Sequence, residues 1–178
     1  MIFSSIEFLI FFLLFILLIK FFPNYQKLII IISSLFFYSY WNPIFIWLVI
    51  FLLSSSYLFI RQNISLKISI PIVLLPLFYF KYSNFLISLF DITLLSNLAY
   101  KSELPLAISF ITFTIIAILI DINTRKYKEE INFSSFSEFL IYFPQLIAGP
   151  ILRAQELIPA LKNKIIFKNE NLKFGIFL

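Results

Sequence analysis

The 178-residue chain contains no histidine and no cysteine, and only two glycines. Without histidine it lacks the commonest general base and the commonest ligand of transition metals. Without cysteine it can form no disulfide and carry out no thiol chemistry, and its redox compartment is not legible. Two isolated glycines, Gly149 and Gly175, build no phosphate-cradling loop. Charge is scarce as well. Only 13% of the residues are charged, where an ordinary soluble domain carries about 25%. The acids stand mostly at helix ends and in loops, so no catalytic triad and no metal-ligand cluster is visible.

What is present is apolar: 61% of the residues are hydrophobic and 20% aromatic, against about 45–50% apolar in soluble domains. This predicts an all-α integral membrane protein, a polytopic transmembrane helical bundle. The net charge of +5 fits basic loops facing anionic lipid better than it fits nucleic acid.

Taken in order, the apolar runs predict about five spans. Ile2 to Phe22 has no basic residue before its apolar core and no small-residue cleavage site after it, so it reads as a retained first span rather than a cleaved signal. Ser4 and Glu7 have capping-box spacing at its start. Pro23 and Asn24 mark a turn between Lys20 and Lys27. The second run, Leu28 to Tyr40, is roughly 20 Å long as a helix, short of the ~30 Å hydrocarbon core. Its Ser33-Ser34 pair is small enough to let another helix approach closely. Asn42-Pro43 is a turn signal. Ile44 to Ile60 is the third span, and its Ser54-Ser55-Ser56 run reads as close packing, because a nucleophilic serine needs an adjacent base that this window lacks. Ile68 to Phe80 is the fourth, with Pro71 and Pro76 inside it. Lys81 and Asn84 then sit among aromatic residues, and Ile87 to Leu98 reads as a short interfacial helix. Leu104 to Ile120 is the fifth span, opened by Pro105, with Thr112 and Thr114 inside it. Asp121 closes it at ion-pair spacing from Arg125.

Lys and Arg gather in the loops after the first, third and fifth spans (Lys20/Lys27, Arg61/Lys67, Arg125/Lys126/Lys128). The positive-inside rule then sets the N-terminus outside. Ile131 to Phe143 reads as an amphipathic helix with a capping box at Ser135 and Glu138 and an apolar face of Phe136, Phe139, Leu140 and Phe143. Ala154 to Leu161 is a second short helix. Phe174 to Leu178 opens a further apolar run of five residues, too few to span a bilayer. That predicts a chain cut at the start of its next span.

The stretch from Pro144 to Arg153 stands apart from the rest. It holds two prolines, a glycine, an amide and an arginine in an apolar setting. Broken backbone at membrane depth is tolerated only where protein buries it or where it lines a wet cavity. Residues 144–153 therefore predict a re-entrant or broken helix, with a loop skimming the interface as the alternative. Polar groups at membrane depth are functional candidates by default, here Asn84, Asp121, Gln145 and Arg153. Each also has a plain reading: Asp121 paired with Arg125, Arg153 snorkelling to headgroups, Asn84 and Gln145 as caps or packing hydrogen bonds.

Five stretches in order carry a family likeness. They are Phe3-Ser4-Ser5 with Phe8-Leu9; Ser34 to Tyr38 with Tyr40-Trp41 and Pro43; Phe80-Lys81-Tyr82 with Asn84-Phe85; Leu104 to Phe110 with Thr112-Phe113 and Ile120-Asp121; and Phe143 to Ile151 with Arg153. The last, Leu-Ile-Ala-Gly-Pro-Ile-x-Arg, is the most specific. With these the chain resembles the membrane-bound O-acyltransferase family, in its bacterial branch of alginate and peptidoglycan O-acetyltransferases and D-alanyl-lipoteichoic acid transferases.

The resemblance implies that residues 1–178 form the N-terminal part of one membrane-embedded acyltransferase domain in the bacterial cytoplasmic membrane. The implied reaction passes an acyl group, acetyl in the first instance, to hydroxyls of an extracytoplasmic polysaccharide such as peptidoglycan or an alginate-like polymer. The donor, acetyl-CoA or an acyl carrier, is a substrate, and no bound cofactor is implied. Membrane lipid, the polysaccharide and a periplasmic acyltransferase protein are the implied partners. The family's histidine, its catalytic base, is absent from this chain, so no catalytic residue is assigned. Asn84, Gln145, Gly149, Pro150 and Arg153 are expected to contribute to a substrate-binding wall. A non-catalytic membrane subunit or transporter fragment is the alternative.

Overall fold

The computed structural model describes residues 5–83, 85, 104–124, 126–127, 130–148, 152–163 and 165. The interfacial helix expected over 87–98 and the apolar run at 174–178 lie outside these residues. All described elements are helical: α1 (Ile6–Phe21), α2 (Gln26–Trp41), α3 (Ile46–Arg61), α4 (Leu66–Leu77), α5 (Ile108–Asn123), α6 (Phe133–Ile141), α7 (Phe143–Ala148) and α8 (Ala154–Lys162). Short 3-10 turns at Pro23–Tyr25 and Pro43–Phe45 lead into α2 and α3, and a π-helical turn at Phe78–Tyr82 extends α4.

Local chemistry explains the boundaries. Ser5, one residue past the expected Ser4, caps α1 by accepting the Phe8 N–H at 3.2 Å. Asn42 makes the expected turn, its Oδ1 accepting the Ile44 N–H at 3.1 Å. Helix α3 ends in a Schellman motif: Ile64 N–H donates to the Phe59 carbonyl at 3.0 Å and Asn63 N–H to that of Ile60 at 3.3 Å, with Asn63 left-handed at φ 50°. Pro105 does not open α5. Ala107 is left-handed at φ 52°, which interrupts helical geometry, and the helix begins at Ile108.

The basic loops meet at one end, around the start of α6. Lys27, beyond the first turn, donates to Ser135 at the start of α6, 3.1 Å away. Arg61 and Asn63 of the α3–α4 turn line one cavity of about 790 Å³ together with Tyr127, Glu130 and Asn132. At the opposite end Phe45 packs edge-on against Phe80 at 5.7 Å, and Lys81 reaches Ser109 at 3.5 Å. Helices α1 and α2 are bent by 108° relative to each other at Phe22.

By length and composition, one described helix, the continuous Pro43–Arg61 segment, could cross a membrane, or two if the bent α1–α2 pair counts as a single span. The 16-residue α5 is apolar but shorter. Ile6, Leu9, Leu13, Leu17, Trp47 and Phe51 are exposed. An outward apolar surface of this kind calls for lipid or protein cover.

The core lies where α6 enters the bundle. Helix α6 packs against α2, α3, α5 and α8, and every residue from Ser135 to Ile141 is buried. The expected amphipathic helix is therefore enclosed on all sides, because neighbours cover its polar face too. Its cap is Asn132, whose Oδ1 accepts the Ser135 N–H at 2.8 Å, in place of the expected Ser135–Glu138 box.

Phe143, fully buried, fits edge-on against Phe11 at 5.2 Å and Phe15 at 5.0 Å, and tilted against Phe37 at 5.6 Å. Phe143→Ala is expected to lower stability by about 3–5 kcal/mol. Ser34→Ala, which orphans the buried Phe143 N–H (its Ser34 Oγ acceptor lies at 3.2 Å), costs about 1–3 kcal/mol. Thermal unfolding of the detergent-solubilised protein measures both.

Candidate functional site

The break in the predicted 144–153 element comes at Tyr142, two residues earlier than expected. Tyr142 leaves helical geometry at φ −53°, ψ 105°, and α7 starts at Phe143. Pro144 thus sits in the first turn of α7, where its missing N–H costs nothing. It starts a helix instead of breaking one. The Tyr142 carbonyl accepts the N–H groups of Gln145 at 3.0 Å and Leu146 at 3.3 Å, and Ser34 takes that of Phe143. The expected close approach at Ser33-Ser34 is therefore made by the start of α7, and the small side chain also supplies a hydrogen bond. Leu152 and Arg153 are again non-helical before α8 begins at Ala154.

Of the residues expected to line a site, Gln145 is buried at this joint. Arg153 is exposed, in the N-cap position of α8, where its carbonyl accepts from Glu156 and Leu157. No described hydrogen bond joins the two. Asn84, Gly149 and Pro150 lie outside the described residues, as does Arg125. Asp121 is buried, and its backbone carbonyl accepts the N–H groups of Lys126 at 2.8 Å and Tyr127 at 3.0 Å. Thr112 and Thr114 bury hydroxyls that have no hydrogen-bond partner among the described residues.

The joint also gathers residues whose part the sequence did not reveal. Glu138 is 1% exposed, and its Oε1 has no hydrogen-bond partner among the described residues. Burial pushes its carboxyl up to about 7, against the opposing pull of the Lys27 charge. One turn on, burial and then the Glu138 charge raise the Tyr142 phenol above its ordinary value. Lys27 is itself held by Ser135. A buried carboxyl that titrates near neutrality can hold or release a proton. One signal could have revealed it: Glu138 is the single acid in the apolar and hydroxyl-bearing run from Ile131 to Ile151.

Over 88% of its length the chain is 32% identical to the peptidoglycan O-acetyltransferase of Helicobacter pylori, covering 37% of that protein. It is 31% identical to the "Probable alginate O-acetylase AlgI" of Azotobacter vinelandii over 89% of this chain and 35% of the relative. It is 30% identical to the Pseudomonas aeruginosa protein of the same name over 76% and 29%. The chain belongs to the membrane-bound O-acyltransferase family. It spans about a third of the length of these relatives. No protein-family model and no solved structure matches it. Within this chain the Phe143–Ala148 segment, prominent in the sequence resemblance, is the one that Ser34 and the phenylalanine cluster anchor.

Glu138 gives the fold a pH dependence of known sign. Its native carboxyl binds a proton up to about pH 7, whereas the unfolded one releases it above about 4.5. Between these values the native state binds more protons, so stability falls as pH rises through the window. Glu138→Gln should flatten this slope, and thermal midpoints between pH 4.5 and 8 check it.

Proposed function

We propose that the chain is the N-terminal part of a multi-pass O-acetyltransferase of the bacterial cytoplasmic membrane. The enzyme transfers an acetyl group from a cytoplasmic donor, acetyl-CoA or an acyl carrier, to hydroxyls of an extracytoplasmic polysaccharide. The observation that carries this reading is the likeness to a peptidoglycan O-acetyltransferase over 88% of the chain. The outward apolar faces of α1 and α3 support membrane residence. The meeting of the basic loops at one end supports a cytoplasmic face there and an external N-terminus.

In the transfer, a base takes the proton of the acceptor hydroxyl while the oxygen attacks the donor's thioester carbonyl; the C–S bond then breaks and the donor leaves as its thiol, taking up that proton. This chain has no histidine to serve as that base. Its contribution is the wall of the path between donor and acceptor. The α6–α7 joint, with Gln145 and the following Gly149-Pro150 and Arg153, would form part of that wall. Asn84 would add an amide to it. A periplasmic acyltransferase would pass on or receive the acetyl group outside.

Deleting the gene should remove base-labile acetate from the purified cell-wall or secreted polysaccharide, and the full-length gene should restore it. Unchanged acetate in both polymers would overturn the reading. Gln145→Leu in the full-length protein is expected to lower acetylation about tenfold, or about 1.4 kcal/mol of transition-state stabilisation. Orientation is checked separately. Reporters fused after Lys67 and after Lys128 should read cytoplasmic, and one fused after Trp41 extracytoplasmic.

A further inference from the structure

A groove of about 340 Å³ opens where the α1–α2 turn meets the end of α8 and the start of α6. Two cations line it, Lys27 from α2 and Lys162 from α8, and among the described lining residues none is acidic. The acid that Lys27 faces, Glu138, is buried in α6 and does not line the groove. Leu28, Ile31 and Leu161 complete the lining with apolar surface.

The groove is built in advance of any ligand. Gln26 ties the segment after α8 to α2 with both ends of its amide: its Nε2 donates to the Asn163 carbonyl at 3.3 Å, and its Oε1 accepts the Ile165 N–H at 2.9 Å. The Lys27 ammonium is steadied by Ser135 at 3.1 Å. Two lysines distant in sequence are thereby fixed on one cleft.

The surroundings define the ligand further. Leu28, Ile32 and Phe36 follow one another at i, i+4 and i+8 on α2, and all three are exposed. They form an apolar stripe leading away from the lysines along one helix face. Tyr25, also exposed, stands beside the lysines, as an aromatic residue does at headgroup level. A free anion would use the lysines and leave the stripe bare. A molecule with a phosphate at one end and an alkyl chain at the other uses both.

We propose that this groove is a binding site for an anionic phospholipid, its phosphate between Lys27 and Lys162 and an acyl chain along Leu28, Ile32 and Phe36. The inference rests on the membrane residence proposed above but not on acetyl transfer. A protein that retains lipid yet acetylates nothing would separate the two readings.

The test uses the full-length protein purified in detergent, with native mass spectrometry after titration with phosphatidylglycerol or phosphatidylcholine. The wild type should retain phosphatidylglycerol in preference to phosphatidylcholine. The Lys27→Gln/Lys162→Gln variant should bind it about thirtyfold more weakly, equivalent to about 2 kcal/mol for two lysines. Leu28→Gln/Ile32→Gln should also weaken it, and Lys20→Gln, whose residue does not line the groove, should not. If the double lysine variant loses its thermal transition, Lys162→Gln alone carries the test, with a smaller loss expected. Unaltered binding by the lysine variants, equal retention of the two lipids, or displacement of the lipid by millimolar inorganic phosphate would each overturn the proposal.

Discussion

A helix that starts inside an apolar core has backbone N–H groups that no water can reach, and each must find an acceptor. At Phe143 that acceptor is the hydroxyl of Ser34, while the ring of the same residue is set among Phe11, Phe15 and Phe37. One residue thus meets two demands at once: the apolar ring needs a dry socket, and the N–H needs a polar atom inside it. A serine on α2 fits because it is small enough for close approach and still carries an oxygen. The placement of α6 and α7 against α1 and α2 follows from this contact.

With α6 held inside the bundle, its polar residues are buried regardless of their own preference. At its start Asn132 accepts the Ser135 N–H, and the Ser135 hydroxyl accepts from Lys27. Glu138 finds no partner for Oε1 among the described residues, and the cost appears as a carboxyl that keeps its proton to about pH 7. Lys27 offsets part of that cost from α2. The same lysine also faces the groove beneath the α1–α2 turn, so the buried acid and the proposed lipid site share one cation.

At that end of the bundle, contacts between distant segments bring the basic loops together. The Gln26 amide binds the chain beyond α8, and Gln155 donates to the Lys126 carbonyl at 2.6 Å. Side-chain amides suit this use, since each offers a donor and an acceptor to backbone that has no helical partner. The opposite end is aromatic, with Phe45 against Phe80. This polarity of the bundle is the physical ground for the proposed orientation.

The sequence by itself determined the helical class, the Asn42-Pro43 turn, the small residues at Ser33-Ser34 and the family likeness. These depend on composition and on near neighbours, which a linear pattern records. It indicated that the chain breaks near Pro144 but missed the position, because proline marks equally well a helix that ends and a helix that begins. Capping-box spacing at Ser4–Glu7 and Ser135–Glu138 located helix starts but not the capping residues, since several side chains compete for the same N–H groups and the path of the incoming chain selects among them. Only the tertiary structure decided that Glu138 and Gln145 are buried, that Ser34 caps Phe143, and that Lys27 and Lys162 line one groove. Those facts join residues more than a hundred positions apart, and no local spacing encodes them.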